Sequence, residues 1–328
     1  MGSHLSFPRV TLTKEKIVIV TGANTGIGYE TAKWIAMMGA TVILGCRSEE
    51  KAREAMAKIN AEFQAEKDLK TPGVVDYQEL SLEFIKLDCA SLQSVMGFVK
   101  TFKESGRQLH VLVCNAGIGM SKQAYTDDGY ELMFQVNYLS QYLLSAHLLP
   151  IMKTSGEDCR IVLVSSEVHR YSELKLDRIQ GRQYNERNFR RTLFYGNSKA
   201  FQVMQMFSMN RRLQNSNVTV SSLHPGVVQT EVTRNFSDMG PWALLFSIGK
   251  LIGASKTPYE GAETTINAAV NPALQDVRDV YYSDCKPNTP HSRTRNKQNQ
   301  ETLWTYTQNC LKEGGFLPDD IIKCLDGE

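Results

Sequence analysis

The sequence predicts an α/β fold in which helices cover both faces of one parallel sheet. Strand and helix patterns alternate along the 328 residues without a linker rich in proline, glycine or serine. A buried-type strand over 16–20 runs directly into a glycine-rich turn and a helical pattern. With 42% hydrophobic residues, the chain can build one large core or, in principle, two domains. We predict a single doubly wound domain, the Rossmann fold, over 1–328, with its core at 16–285 and a polar C-terminal extension at 286–328.

The later elements follow from the same patterns, and the chain has no internal repeat. We predict strands at 41–44, before Leu87, before Cys114, at 160–164, 218–223 and 280–283, and helices at 195–214 and 259–270. A charged helix and loop is expected between 60 and 81, and a further helix around 301–312. This alternation is the one that a doubly wound sheet requires.

The turn after the first strand carries three glycines within the segment 21–28. Glycines permit positive φ and remove side-chain bulk, so backbone N–H groups and a helix N-terminus can approach a pyrophosphate closely. The alternative is a tight turn that binds nothing. We predict a dinucleotide site with the candidate residues Gly22, Asn24, Thr25, Gly26, Ile27 and Gly28.

The second strand ends at Arg47, where NAD-selective folds carry a carboxylate for the ribose 2′-hydroxyl. No acid occurs in this turn before Glu49. A guanidinium suits a 2′-phosphate through paired, charge-assisted hydrogen bonds, so Arg47 favours NADP over NAD. The alternative is an arginine that only caps a surface turn.

Tyr195 and Lys199 are four residues apart in a predicted helix, which places a phenol and an ammonium on one face. A nearby cation favours the phenolate, so the pair can exchange a proton with an alcohol closer to neutral pH. The spacing is common by itself, and an exposed helix face is the alternative. The other motifs of the chain decide for the functional interpretation.

Those motifs occur in a fixed order: Leu87-Asp88, Cys114-Asn115-Ala116-Gly117, Gln135-Val136-Asn137, Ser165-Ser166, Tyr195 with Lys199, and His224-Pro225-Gly226 with Thr230. Through them the chain resembles the short-chain dehydrogenase/reductase family over about 16–285. Segments 110–116, 134–137 and 164–167 are most similar to the branch of retinol dehydrogenases and WW-domain-containing oxidoreductases, although this sequence contains no WW module. Cys114 departs from the asparagine of many relatives.

The resemblance implies that Tyr195 is the general acid/base and that Lys199 lowers its pKa while holding the nicotinamide ribose. Ser166 would orient the substrate oxygen, and Asn137 would hold a water that links Lys199 to solvent. The alternative for Ser166 is an ordinary hydroxyl at the end of a strand. The alternative for Asn137 is a helix residue that makes only local hydrogen bonds. Besides Tyr195 and Lys199, the implied cofactor-binding residues are Asp88 at the adenine, Asn115, Ala116, Gly117, Pro225, Gly226, Val228 and Thr230.

Charge and composition exclude several other classes of function. The 37 basic and 35 acidic residues leave a net charge of +2, which gives no reason to expect a nucleic-acid partner. Seven cysteines without C-x-x-C spacing predict reduced thiols. The six histidines, including His147 and His224, lack metal-ligand spacing, so we predict no metal site.

No segment is apolar and long enough to span a bilayer, and the first residues lack a signal-peptide core. We expect a cytoplasmic protein, or one at the cytoplasmic face of a membrane. The apolar run 242–252 is too short to cross a bilayer but long enough for peripheral contact.

In the family, the segment after Pro225-Gly226 covers the substrate. A lid there would favour a bulky lipophilic substrate through Trp242, Leu244, Leu245, Phe246, Ile248 and Leu251; a helix packed on the core or a partner is the alternative.

The connection between Ser166 and Tyr195 is longer and more polar than a minimal one. Because catalytic candidates flank it, we expect 170–194 to border the active-site mouth and to shape substrate entry. The resemblance also implies a possible homodimer through the helices that begin near Asn137 and Tyr195.

Together these features predict an NADP-dependent oxidoreductase that interconverts a lipophilic alcohol, such as a retinoid, steroid or lipid, with its aldehyde or ketone. A cofactor-binding scaffold or redox-sensing partner is one alternative. A sugar-nucleotide epimerase or dehydratase is another, which the spacing of Gly22, Gly26 and Gly28 disfavours. The third is a specialised biosynthetic member of the family with a different substrate.

Overall fold

The computed structural model describes residues 7–228 and 255–327. These residues form an eight-stranded sheet with the order β3-β2-β1-β4-β5-β6-β7-β8. Strands β1 to β7 are parallel, and β8 pairs antiparallel with β7. The strands are β1 (Ile17–Thr21), β2 (Thr41–Cys46), β3 (Leu82–Lys86), β4 (Val111–Cys114), β5 (Cys159–Val164), β6 (Val218–His224), β7 (Tyr281–Ser283) and β8 (Lys286–Asn288).

Helices connect these strands on both faces of the sheet. They are α1 (Gly26–Met37), α2 (Glu49–Asp68), α3 (Leu92–Glu104), α4 (Leu132–Phe134), α5 (Ser140–Met152), α6 (Arg191–Arg212), α7 (Pro258–Val270), α8 (Ser292–Arg295), α9 (Lys297–Glu313) and α10 (Asp319–Asp326). A π-helical segment, Gln135–Leu139, joins α4 to α5, and 3₁₀ turns lie at Glu167–Tyr171, Leu176–Arg178 and Pro272–Leu274.

The sheet is buried on both faces, as a parallel sheet requires. Alternate residues of β1 belong to two separate cores: Ile17 and Ile19 contribute to one, and Val18 and Val20 to the other. Helices α3, α5 and α6 supply the first core, whereas α1, α2 and α7 supply the second. The predicted doubly wound α/β fold is therefore confirmed.

Strand β8 was not predicted from the sequence. It has three exposed residues and includes Pro287, so it lacks both hydrophobic alternation and strong strand propensity. The two-residue turn before it decides the pairing, because Asp284 and Cys285 have φ values of +50° and +59°. Positive φ at both positions is the geometry of a type I′ hairpin.

The C-terminal extension packs on the outer faces of α5 and α6. Buried side chains of α9 and α10, including Leu303, Trp304 and Ile321, belong to the same core as the sheet. The Trp304 ring meets the Tyr142 ring edge to face, with centroids 5.1 Å apart. A narrow apolar stripe in a polar sequence thus makes 297–326 part of the main core. Helices α5 and α6 are also the ones on which pairing of two copies was expected.

Within 7–228 and 255–327, no helix is both long and apolar enough to cross a membrane. The predicted lid at 242–252 and the candidate residue Thr230 lie outside the described residues.

Candidate active site

The candidate site is a cavity of about 450 Å³ at the carboxyl ends of the central strands. Strand order reverses between β1 and β4, and open α/β sheets bind their ligands at such switch points. The predicted residues that line the cavity are Gly22, Asn24, Thr25, Gly26, Ile27, Gly28, Arg47, Asp88, Asn115, Ala116, Gly117, Ser166, Tyr195, Lys199, Pro225, Gly226 and Val228. The fold therefore gathers candidates from seven separate segments at one place.

The glycine turn needs its glycines for two different reasons. Gly22 and Gly26 have φ values of +67° and +59°, which side chains rarely allow. Gly28 instead lies against the turn itself, where a Cβ would come 2.3 Å from the carbonyl oxygen of Gly22. The amide Nδ2 of Asn115 donates to the carbonyl of Thr21 at 2.9 Å. Backbone and amide groups thus form a narrow cradle at the N-terminus of α1.

Positive charge surrounds the far end of the cavity, at the start of α2. Arg47 and Lys51 both line the cavity and are exposed. The carboxylate of Glu49 is bound by Arg53, with an N···O distance of 2.6 Å. The first acid after Arg47 in the sequence therefore forms an ion pair within its own helix. Lys51 was not predicted as a site residue from the sequence. It lies in the first turn of α2, close in sequence to Arg47, and this position is the signal that could have identified it.

Tyr195 and Lys199 lie together on α6, and both side chains are buried. The ammonium Nζ of Lys199 donates to the carbonyl of Val164 at 2.9 Å and to Oε1 of Gln202 at 3.2 Å. It lies 5.9 Å from the centroid of the Tyr195 ring. The predicted pair is therefore adjacent, with the cation beside the ring and bonded to the end of β5.

Burial dominates the electrostatics of this pair. It raises the pKa of Tyr195, and the hydroxyl of Ser166 opposes that effect by a hydrogen bond. It lowers the pKa of Lys199 to about 7. Desolvation thus disfavours the charged forms of both groups, and the lowering of the Tyr195 pKa by Lys199 that the resemblance implies stays a prediction.

Asn137 lies behind the cavity wall, in the π-helical segment before α5. Its Oδ1 accepts from the N–H of Ile118 at 2.8 Å, and its Nδ2 donates to the carbonyl of Ile118 and to Oγ of Ser198. A Cβ at Gly117 would come 3.1 Å from the Asn137 oxygen and 3.4 Å from Nζ of Lys199. Asn137 therefore joins the segment after β4 to α6. π-Helical segments often mark functional positions.

Ser165 and Ser166, at the end of β5, have different tasks. The hydroxyl of Ser165 is buried and donates to the carbonyl of Lys199 at 2.7 Å, which ties the strand to α6. Ser166 faces the cavity, and its Oγ accepts from the N–H of Val168 at 3.3 Å. Ser165 therefore supports the position of α6, whereas Ser166 faces the cavity.

The wall beside Tyr195 is apolar. Ile118 and Val168 line the cavity and pack on a cluster that contains Met120, Met133 and Phe194. Phe189, from the 170–194 connection, stacks on Phe194 with ring centroids 4.3 Å apart. Sequence reasoning did not identify these cavity residues: Cys46, Ser48, Leu87, Cys89, Ile118, Val136, Val164, Ser165, Glu167, Val168 and Val227. Leu87, Val136, Ser165 and Glu167 stand in motif segments, but sequence reasoning had no basis for assigning them a role. Most of the others have apolar or small side chains and are recognisable only through their place in the fold.

The seven cysteines are all free, in agreement with the prediction of reduced thiols. In the part of the chain that the structure describes, no group of three or more His, Cys, Asp or Glu side chains is arranged to hold a metal ion.

Comparison with known proteins identifies the class. A family model described as short chain dehydrogenase matches residues 16–175. Human retinol dehydrogenase 14 is 34% identical over 303 residues, which cover 89% of this chain and 85% of that protein. The chain therefore belongs to the short-chain dehydrogenase family. Family members bind NAD(P) and act on alcohol and carbonyl groups, so this protein is an oxidoreductase related to the retinol dehydrogenases.

A second curated relative agrees with this assignment, and a solved structure shares the fold. The WW domain-containing oxidoreductase of Gallus gallus is 34% identical over 304 residues, with 91% of this chain and 68% of that protein covered. A solved short-chain type dehydrogenase/reductase from Mycobacterium marinum shares the fold, with a TM-score of 0.61 and 21% identity over 83% of this chain and 94% of that chain.

Proposed function

We propose that this protein is an NADP-dependent oxidoreductase that interconverts a lipophilic alcohol and its aldehyde or ketone. The observation that carries the proposal is the meeting of Ser166, Tyr195 and Lys199 at one end of a cavity whose other end is a glycine cradle. A proton donor and a dinucleotide cradle in one cavity are the two parts that hydride chemistry needs.

The residues present fit a nicotinamide dinucleotide. Gly22 and Gly26 have positive φ, and Gly28 has no room for a Cβ against Gly22 and Asn115, so the turn can present its backbone N–H groups to a pyrophosphate. Arg47 and Lys51 would hold a 2′-phosphate at the other end. Glu49, the acid that would repel this phosphate, is bound to Arg53. This distribution of charge supports NADP rather than NAD.

The chemistry follows from which atom gains charge. The nicotinamide ring, when bound, would supply or accept the hydride. During carbonyl reduction the substrate oxygen gains negative charge, and the Ser166 hydroxyl would donate a hydrogen bond to it. Tyr195 would deliver its phenolic proton to that oxygen and so complete the alcohol. During oxidation the Tyr195 phenolate would take the same proton back, and Lys199 would favour the phenolate when it is charged.

The substrate end of the cavity supports a lipophilic substrate. Ile118 and Val168 line it, and both pack against the cluster that contains Met120 and Phe194. Apolar walls with a few convergent polar groups are typical of sites for hydrophobic small molecules. The names of the curated relatives point the same way, because they include several retinol dehydrogenases.

The test is a titration with NADPH and NADH, followed by turnover on a panel of retinoid, steroid and lipid carbonyls. We expect loss of reduced-nicotinamide absorbance with NADPH, and loss of that activity in both Tyr195→Phe and Ser166→Ala. Ser165→Ala is the matched control, since the hydroxyl of Ser165 is already engaged in a hydrogen bond to the backbone carbonyl of Lys199. Tight NADPH binding without turnover on any compound would favour a cofactor-binding scaffold.

A further inference from the structure

The rings of His169 and His224 both contact the ring of Tyr281, and both histidines adjoin residues that line the cavity. The ring centroid of His169 is 5.1 Å from that of Tyr281, and the centroid of His224 is 6.0 Å away on a nearly parallel plane. His169 comes three residues after Ser166, and His224 directly precedes Pro225-Gly226. The contacts between these three rings therefore link the segment after β5 and the end of β6 to the start of β7.

The contacts of His169 specify one tautomer. Its Nδ1 lies 2.7 Å from the carbonyl oxygen of Ser166, which can only accept, so Nδ1 must carry the hydrogen. Its Nε2 accepts from the N–H of His291 at 3.1 Å. The ring is fully buried, and burial lowers its pKa to about 4. His169 is therefore neutral, with both nitrogens satisfied.

The contacts of His224 specify the opposite tautomer. Its Nδ1 accepts from the N–H of Gly226 at 3.1 Å. Its Nε2 lies 3.3 Å from Oε2 of Glu167, an arrangement that favours a hydrogen on Nε2. Glu167 and Gly226 both line the cavity. His224 thus joins two residues of the cavity wall, one from the end of β5 and one from the end of β6.

We propose that His169 and His224 are positioning residues that fix two walls of the cavity, with the ring of Tyr281 packed against both imidazoles. His169 holds the backbone of Ser166, and His224 holds the turn at Gly226. The inference rests on the proposed function, since it assigns the first wall to the substrate oxygen and the second to the dinucleotide. Loss of His169 should therefore affect turnover, and loss of His224 should affect cofactor affinity.

Amide side chains can test each nitrogen separately. Asparagine places its amide near the position of Nδ1, and glutamine places it near Nε2. We expect His169→Gln to have a kcat about tenfold below that of His169→Asn, with the same Kd for NADPH, because one hydrogen bond is worth about that factor. We expect His224→Gln to have a Kd for NADPH about tenfold above that of His224→Asn, for the same reason.

His147→Gln is the matched control. His147 is also buried and also bonded to a backbone carbonyl, that of Phe316, but it lies on α5 away from the cavity. Thermal unfolding of every variant separates positioning from loss of stability. If the Asn and Gln variants of each position behave alike, or if their losses follow their unfolding temperatures, the proposal is wrong.

A second measurement needs neither turnover nor cofactor. Imidazole ¹⁵N chemical shifts of the protein near neutral pH report which nitrogen carries the hydrogen, and we expect Nδ1–H at His169 and Nε2–H at His224. The same tautomer at both positions would overturn the inference. If the protein binds NADPH but reduces no carbonyl, the proposed function fails. The two tautomers and the NADPH affinities of the His224 variants can still be measured in that case, and they decide this inference separately.

Discussion

The ammonium nitrogen of Lys199 lies 2.9 Å from the carbonyl oxygen of Val164, at the end of β5. This contact holds Lys199 on α6 against the end of β5, two residues before Ser166, so the proposed proton-transfer group spans two elements. It also keeps the ammonium in a buried place, where its charge is costly. The site therefore holds a charged form that the fold itself disfavours.

Replacing Lys199 with methionine should stabilise the protein while it abolishes turnover. The folded-state pKa of Lys199 is lowered to about 7, so the unfolded chain binds more protons between that value and the ordinary lysine pKa of about 10.4. The free energy of unfolding of the wild type thus rises with pH across this window, and the full cost is present below it. Methionine leaves the Val164 carbonyl without its donor, which reduces the gain by about 1 kcal/mol.

Denaturant unfolding at about pH 6 and about pH 9 checks this prediction, since the two values lie on either side of the shifted pKa. The gain from Lys199→Met should be larger at the lower pH. Lys86→Met, at an exposed lysine, should show no such difference. A gain that does not depend on pH would contradict the pKa argument.

Tyr195→Phe should lower kcat by roughly 10²–10⁴-fold, because it removes only the proton that general acid catalysis needs. The aromatic ring remains, so the packing with Met120 and Phe194 is kept. Single-turnover kinetics and an NADPH titration measure the two effects separately. A large increase in the Kd for NADPH would show instead that the phenol mainly holds the cofactor.

Arg47→Asp should weaken NADPH binding by about 10- to 100-fold and reduce the preference over NADH, because charge-assisted hydrogen bonds to a phosphate are replaced by repulsion. Calorimetric titration with both cofactors measures the change. Lys58→Ala, on α2 and outside the cavity, is the control and should change neither affinity. Equal losses for NADPH and NADH would mean that Arg47 does not contact the 2′-phosphate.

Trp304→Ala should lower the free energy of unfolding by about 3–5 kcal/mol, the usual cost of removing a large aromatic side chain from a core. The ring is 3% exposed, packs on Tyr142 and lies under the guanidinium of Arg212 at 4.3 Å. Leu69→Ala, at a side chain 76% exposed, should cost less than about 0.5 kcal/mol. Denaturant unfolding of both variants checks whether the C-terminal extension is part of the cooperative core.

Two copies of this chain should not pair through α5 and α6. Helix α9 already holds α6 through Glu301, whose carboxylate binds Arg211 at 2.5 Å and Arg212 at 2.6 Å. Light scattering with hydrogen exchange checks this: we expect either the mass of a single copy, or an oligomer whose protected surface lies outside α5 and α6. A dimer whose hydrogen-exchange protection maps to α5 and α6 would require the extension to move away.

Local sequence was sufficient for the fold class and for most of the candidate site. The glycine turn depends on φ angles and on missing Cβ atoms, which are properties of Gly22, Gly26 and Gly28 themselves. The spacing of Tyr195 and Lys199 places both on one face of any helix. Arg47 was identifiable because a strand end precedes it. Patterns that repeat with the period of a strand or a helix are readable without knowledge of their neighbours.

Only the tertiary structure decided the rest. It set the pKa of Lys199, because burial depends on every element that surrounds the group. It brought Lys51 to the cavity, joined His169 to His224 across 55 positions through Tyr281, and placed Trp304 of the polar extension in the core. These relationships arise between residues far apart in the chain, where packing, desolvation and hydrogen-bond direction act together. No local sequence pattern encodes these relationships, since each depends on which helices and loops pack against one another on the two faces of the sheet.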